Sequence, residues 1–161
     1  MAKNLYRKLT ETTATKVKAD HPAVPKSGDP CRVGTVVGIA LINEEWGYDP
    51  TTGYRKQIGG ISIDLPYNPA TNSREPDGLV PLSFQLNEWT LPVTNPHATN
   101  KGDVGDPVYY QDAAADGNHC VVNKVGAAQA FVGTLREELA ANSKGEVVVL
   151  LQSGGGPVDL T

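Results

Sequence analysis

Three histidines, His21, His97 and His119, and two cysteines, Cys31 and Cys120, are the side chains best suited to metal binding or nucleophilic chemistry. A metal site needs several such ligands converging, and spacings such as H-x₃-H or C-x-x-C reveal the strong cases. Here each histidine stands alone except in the pair His119-Cys120, and adjacent residues on a strand point to opposite faces. Structural roles are expected for all five. The cysteines are far apart in the chain, so two buried free thiols in a reducing compartment are the expected reading. Neighbouring carboxylates at Glu44-Glu45 and Glu137-Glu138 diverge on either kind of element and read as solvated. Neither Ser62 nor Ser83 sits in a G-x-S-x-G elbow, although a dispersed triad needs no adjacency in sequence. A phosphate-binding loop requires G-x-x-x-x-G-K-[ST]. The triple glycine Gly154-Gly155-Gly156 lacks the lysine and runs into Pro157. The expectation is a protein without catalytic residues, metal or cofactor.

Charge is distributed unevenly. The net charge is −4 over 161 residues, yet up to Lys26 the basic residues Lys3, Arg7, Lys8, Lys16, Lys18 and Lys26 outnumber Glu11 and Asp20, so this arm carries +4 and the remainder −8. A basic arm on an acidic body suggests docking onto an acidic surface of a partner or of a neighbouring copy. Nucleic acid is not expected as a partner, because Tyr6 is the arm's one aromatic and the body would repel phosphate. No signal-like apolar core follows the N-terminus, and no run approaches the ~18 apolar residues of a membrane span, so no membrane partner is expected.

The elements that must position these residues are short. With 17 Gly and 12 Pro, the composition suits extended segments broken by turns. The expected fold is mainly β, a small barrel or sandwich with an extended N-terminal arm, an inserted turn-rich lobe and at most one short helix. Residues 1–26 form the arm, with Thr13, Thr15 and Val17 loosely alternating and His21-Pro22 to Pro25 as a hinge. Residues 27–152 form one β domain, and 153–161 a flexible tail. Gly28-Asp29-Pro30 is a turn signal: glycine supplies positive φ, aspartate bonds the backbone and proline sets the strand entry. Strands are expected at Cys31 to Val33 and Val36 to Ile42. Gly105-Asp106-Pro107 repeats the signal, and Phe131-Val132-Gly133-Thr134-Leu135 stands where Val37-Gly38-Ile39-Ala40-Leu41 stood, which implies a duplicated β-turn-β unit. The lobe, Trp46 to Pro81, contains an alternating strand from Gln57 to Leu65. Further strands are expected at Leu79 to Val93, Val108 to Gln111, Cys120 to Val125 and Glu146 to Gln152. Leu135 to Asn142 is the one candidate helix, with a single turn in a loop as its rival.

The order of a basic arm, SGDPCRVGTVVGIAL, a strand ending in Leu91-Pro92-Val93, then GDPVYY, FVGTL and GEVVVLL resembles the capsid cement or head-decoration proteins of tailed bacteriophages, some of which carry a recombinase-like label. The resemblance spans Ser27 to Gln152, and the section Trp46 to Pro81 departs from the shorter family pattern. It implies a β-barrel-like domain, often a homotrimer, at three-fold or quasi-three-fold positions on the outer capsid surface of the virion, after assembly in the host cytoplasm. Its partner would be the major capsid protein, and the family has no catalytic residues to transfer. The arm residues Leu5, Tyr6, Arg7, Lys8, Leu9, Lys16 and Lys18, with Trp46, Tyr48, Tyr54 and Tyr67 of the lobe, are the candidate contacts. A β-barrel module recognising a glycan or protein is the alternative.

Overall fold

The computed structural model of the chain describes residues 4–9, 15–23, 25–41, 79–114, 117–123 and 130–152, with Lys16 and Leu79 by main chain only, and the main chain of four strands within 54–74. Every regular element among the described residues is a strand. In chain order these are β1 Leu5–Arg7, β2 Thr15–Lys18, β3 Pro30–Val33, β4 Val36–Ala40, β5 Tyr54–Ile58, β6 Ile61–Asp64, β7 Tyr67–Asn68, β8 Ser73–Arg74, β9 Leu79–Ser83, β10 Glu88–Asn95, β11 Pro107–Tyr110, β12 Cys120–Val122, β13 Ala130–Leu135 and β14 Ser143–Leu151.

Five strands close a barrel in the order β10-β12-β11-β13-β14, sealed by the long antiparallel pairing of β10 with β14. Period-two alternation builds it: Trp89, Leu91 and Val93 of β10 are buried, while Thr90, Pro92 and Thr94 are only half-buried. A second sheet, β2-β9-β4-β3, forms a half-barrel whose outer strands are drawn together by a bridge between His21 and Arg32. Its strand β4 is buried on both faces. Val37 and Ile39 join the barrel core with Trp89, Leu91 and Val149, whereas Ala40 belongs to a smaller core with Cys31, Val80 and Leu82. One strand is thus a wall shared by two cores.

The suggested duplication extends to strand order and hydrogen bonds. In both units the first strand pairs with the last, the last with the third and the third with the second: β2, β3, β4, β9 in one and β10, β11, β13, β14 in the other. Gly28 and Gly105 take φ of 94° and 96°, a region closed to most side chains. The carboxylate of Asp29 accepts from Lys26 N–H at 2.9 Å, and that of Asp106 from Asp103 N–H at 2.9 Å. Gly28 N–H donates to Ala40 O at 2.7 Å, and Gly105 N–H to Leu135 O at 2.8 Å. These bonds align Ala40 with Leu135 and Gly38 with Gly133, one residue from the alignment expected from sequence.

Four other expectations change. Leu135 to Asn142 is not helical, because its backbone is engaged elsewhere: Arg136 N–H donates to Val148 O at 2.8 Å, and Leu139 exchanges bonds with Gly102 at 2.7 and 3.0 Å. Groups so committed cannot form i to i−4 bonds. The span Gln57 to Leu65 falls on two strands of an antiparallel pair, β5 ending at Ile58 and β6 starting at Ile61, and Leu79 to Val93 is broken by a corner between β9 and β10. The arm, finally, contributes strands to both sheets, β1 on β10 and β2 on β9.

Candidate interaction surface

The arm residues expected to make contacts separate into two groups. Leu5 packs against the barrel core, while Tyr6 is 62% exposed and Leu9 39% exposed. Arg7, beside them, lies 3.7 Å from the carboxylate of Glu88, a residue only 4% exposed, which Arg136 also holds at 3.1 Å. Leu9 N–H donates to the side-chain oxygen of Asn87 at 2.6 Å, which sets Leu9 against the β9–β10 corner where Leu86 is 44% exposed. Tyr6, Arg7, Lys8 and Leu9 are consecutive and exposed, and the bond from Leu9 to Asn87 brings them beside the exposed Leu86, which makes an apolar and basic strip along β1 and the β9–β10 corner. Lys16 and Lys18 go instead to β2 of the half-barrel, where Lys18 is exposed. Of the lobe aromatics, Trp46 and Tyr48 lie outside the described residues, and the structure gives only the main chain of Tyr54 in β5 and Tyr67 in β7. The turn residues Gly28, Asp29, Pro30, Gly105, Asp106 and Pro107 shape the entries to β3 and β11.

A polar cluster ties the two units together at another place. The guanidinium of Arg32 on β3 meets both carboxylate oxygens of Asp112 at 2.8 Å each, and lies 3.5 Å from Asp20. This fork holds the Asp112 carboxyl below the usual carboxylate range. His21 Nδ1 lies 2.8 Å from the hydroxyl of Tyr110, and the His21 ring stands edge-on to that of His119, centroids 4.6 Å apart. Tyr110 stacks on His119 and is fully buried, and burial pushes its phenol well above the usual value. Sequence separates these residues by up to 98 positions, so spacing offered no sign that His21 and His119 meet. The sequence reading also missed Glu88 and Leu86, which are ordinary residues until β1 pairs with β10 and sets the arm beside the corner.

Cys31 and Cys120 are buried free thiols, and desolvation pushes Cys120 up to about 12. Among the described residues no group of three His, Cys, Asp or Glu side chains converges as a metal site. A shallow hollow of about 410 Å³ beside Thr94, Asn95 and Lys144 is open to solvent and holds no converging catalytic set. No helix among the described residues is long and apolar enough to cross a membrane. No protein-family model, curated protein or solved structure matches the chain.

Proposed function

We propose that this chain is a capsid decoration protein that binds the outer surface of an expanded phage head and bridges coat subunits, with neighbouring copies of itself at three-fold or quasi-three-fold positions. The observation that carries this reading is the strip of Tyr6, Arg7, Lys8, Leu9 and Leu86 around β1. Exposed apolar side chains grouped beside cations on an otherwise well-packed β body are the composition of an interface centre and its rim. The order of turns and strands in the sequence supports the same reading.

A decoration protein acts by mass action: affinity for the assembled lattice alone stabilises that lattice, and repetition over many sites multiplies the gain. A stiff barrel suits this task, since little ordering cost is incurred on docking. Purified protein mixed with undecorated expanded heads should bind saturably and raise the temperature at which the heads disrupt. Tyr6→Ser combined with Leu9→Ser should weaken binding at least about tenfold, equivalent to about 1.4 kcal/mol, with the fold unchanged because both side chains are exposed. Absence of binding by the unaltered chain would remove the proposal.

A further inference from the structure

His21 belongs to the half-barrel and His119 to the barrel, and their rings meet where the two units join. The hydroxyl of the fully buried Tyr110 needs an acceptor, which His21 Nδ1 provides at 2.8 Å. With Nδ1 accepting, the single proton of a neutral His21 sits on Nε2. His119 Nδ1 lies 2.8 Å from the main-chain oxygen of Gln111, so this nitrogen carries the proton there. Both hydrogen bonds are formed with the rings uncharged.

We propose that His21, Tyr110 and His119 form an acid-sensitive latch between the two β units, closed while His21 is neutral and loosened when His21 takes a proton. A proton on Nδ1 turns the acceptor of the Tyr110 hydroxyl into a donor, so the hydroxyl oxygen must accept instead and its buried proton is left without the acceptor it had. The new charge also sits beside Arg32 and against the His119 ring. Titratable and charged groups reach His21 from each neighbouring element: Asp20 on its own segment, Arg32 from β3, and His119 and Asp112 from the segment between β11 and β12. Among these Asp112 favours the charged ring, but both its oxygens already hold Arg32. Asp20 is likewise occupied, by Arg32 and by the N–H of Gly34 at 2.7 Å.

Burial, then His119, lowers the His21 pKa below 6.5, with Asp112 acting against them. Between the lowered folded value and the unfolded value of 6.5 the unfolded chain binds more protons, so stability rises with pH across this window. The contribution is complete above 6.5 and is lost as pH falls toward the folded value. Asp112, lowered from 3.8, releases its own contribution only in stronger acid, so Arg32 and Asp112 stay paired while His21 titrates.

Thermal melts at about pH 7.5 and about pH 5 test the latch. The chain should melt about 2–4 °C lower in acid, and His21→Gln, whose amide oxygen still accepts from Tyr110 but does not titrate, should lose more than half of that difference. His97→Gln, away from the cluster, should retain it. An unchanged difference in His21→Gln would overturn the latch. NMR titration of the unaltered chain gives a reading free of any mutant's folding, and a His21 ring that titrates at or above 6.5 would overturn it equally. The inference does not depend on what the surface strip binds.

Discussion

Asn4 satisfies backbone groups from two sheets at once. Its main-chain oxygen accepts from Thr90 N–H at 2.8 Å, and its side-chain Nδ2 donates to Thr90 O at 3.0 Å and to Gly28 O at 2.9 Å. Thr90 lies on β10 of the barrel, and Gly28 in the turn that starts β3. Asn4→Ala would strip the two side-chain bonds from part-buried carbonyls, so a loss of about 1–3 kcal/mol is expected, read from the urea midpoint at unchanged slope. A loss below about 0.5 kcal/mol would show that water replaces the amide without cost. Nothing in the sequence marks Asn4, because its partners lie 24 and 86 positions away. Gly28, Asp29 and Pro30 were legible, since the turn itself, with the positive φ of Gly28 and the bond from Lys26 N–H to Asp29, lies between Lys26 and Pro30. Local geometry is written in adjacent residues, and long-range satisfaction is not.

The arm shows the same division among elements. Its basic charge and loose alternation read as an extended docking arm outside the body, and deletion of residues 2–20 would then leave the body folded. In the structure β1 covers the start of β10, with Leu5 against the barrel core and Arg7 beside the buried Glu88, and β2 pairs with β9 from Leu79 to Leu82. Removing residues 2–9 should cost about 2–4 kcal/mol, since it withdraws a packed leucine and the Asn4 bonds together. Chemical denaturation of the shortened chain measures this, and unchanged stability would mean that β1 is a passenger on the barrel. Strand β10 was legible because burial on one face leaves a period of two, and β14 because its second half is an apolar run. The segment after Leu135 was not, since the acidic pair Glu137-Glu138 resembles a helix start. There Glu137 instead accepts from Val148 N–H at 3.1 Å and Glu138 pairs with Lys101 at 2.7 Å, contacts made by tertiary position rather than by propensity.

At the scale of the whole molecule, two units of equal strand order are fused through β4. Two copies that fold as separable domains would melt in two steps, one for each. The shared wall argues otherwise. Val37 and Ile39 are fully buried in the barrel core although β4 belongs to the half-barrel, and Ala40 on the opposite face serves the smaller core. Unfolding the half-barrel alone would pull both side chains out of the barrel, and emptying buried aliphatic positions of this kind costs about 2–5 kcal/mol each when done by mutation. The units therefore stand or fall together, and scanning calorimetry should give a single transition whose calorimetric and van't Hoff enthalpies agree. Ile39→Ala should lower that one transition without dividing it. The appearance of a second, lower transition in the unaltered chain at neutral pH would show instead that the half-barrel detaches on its own, and β4 would then be a contact between domains rather than a wall they share.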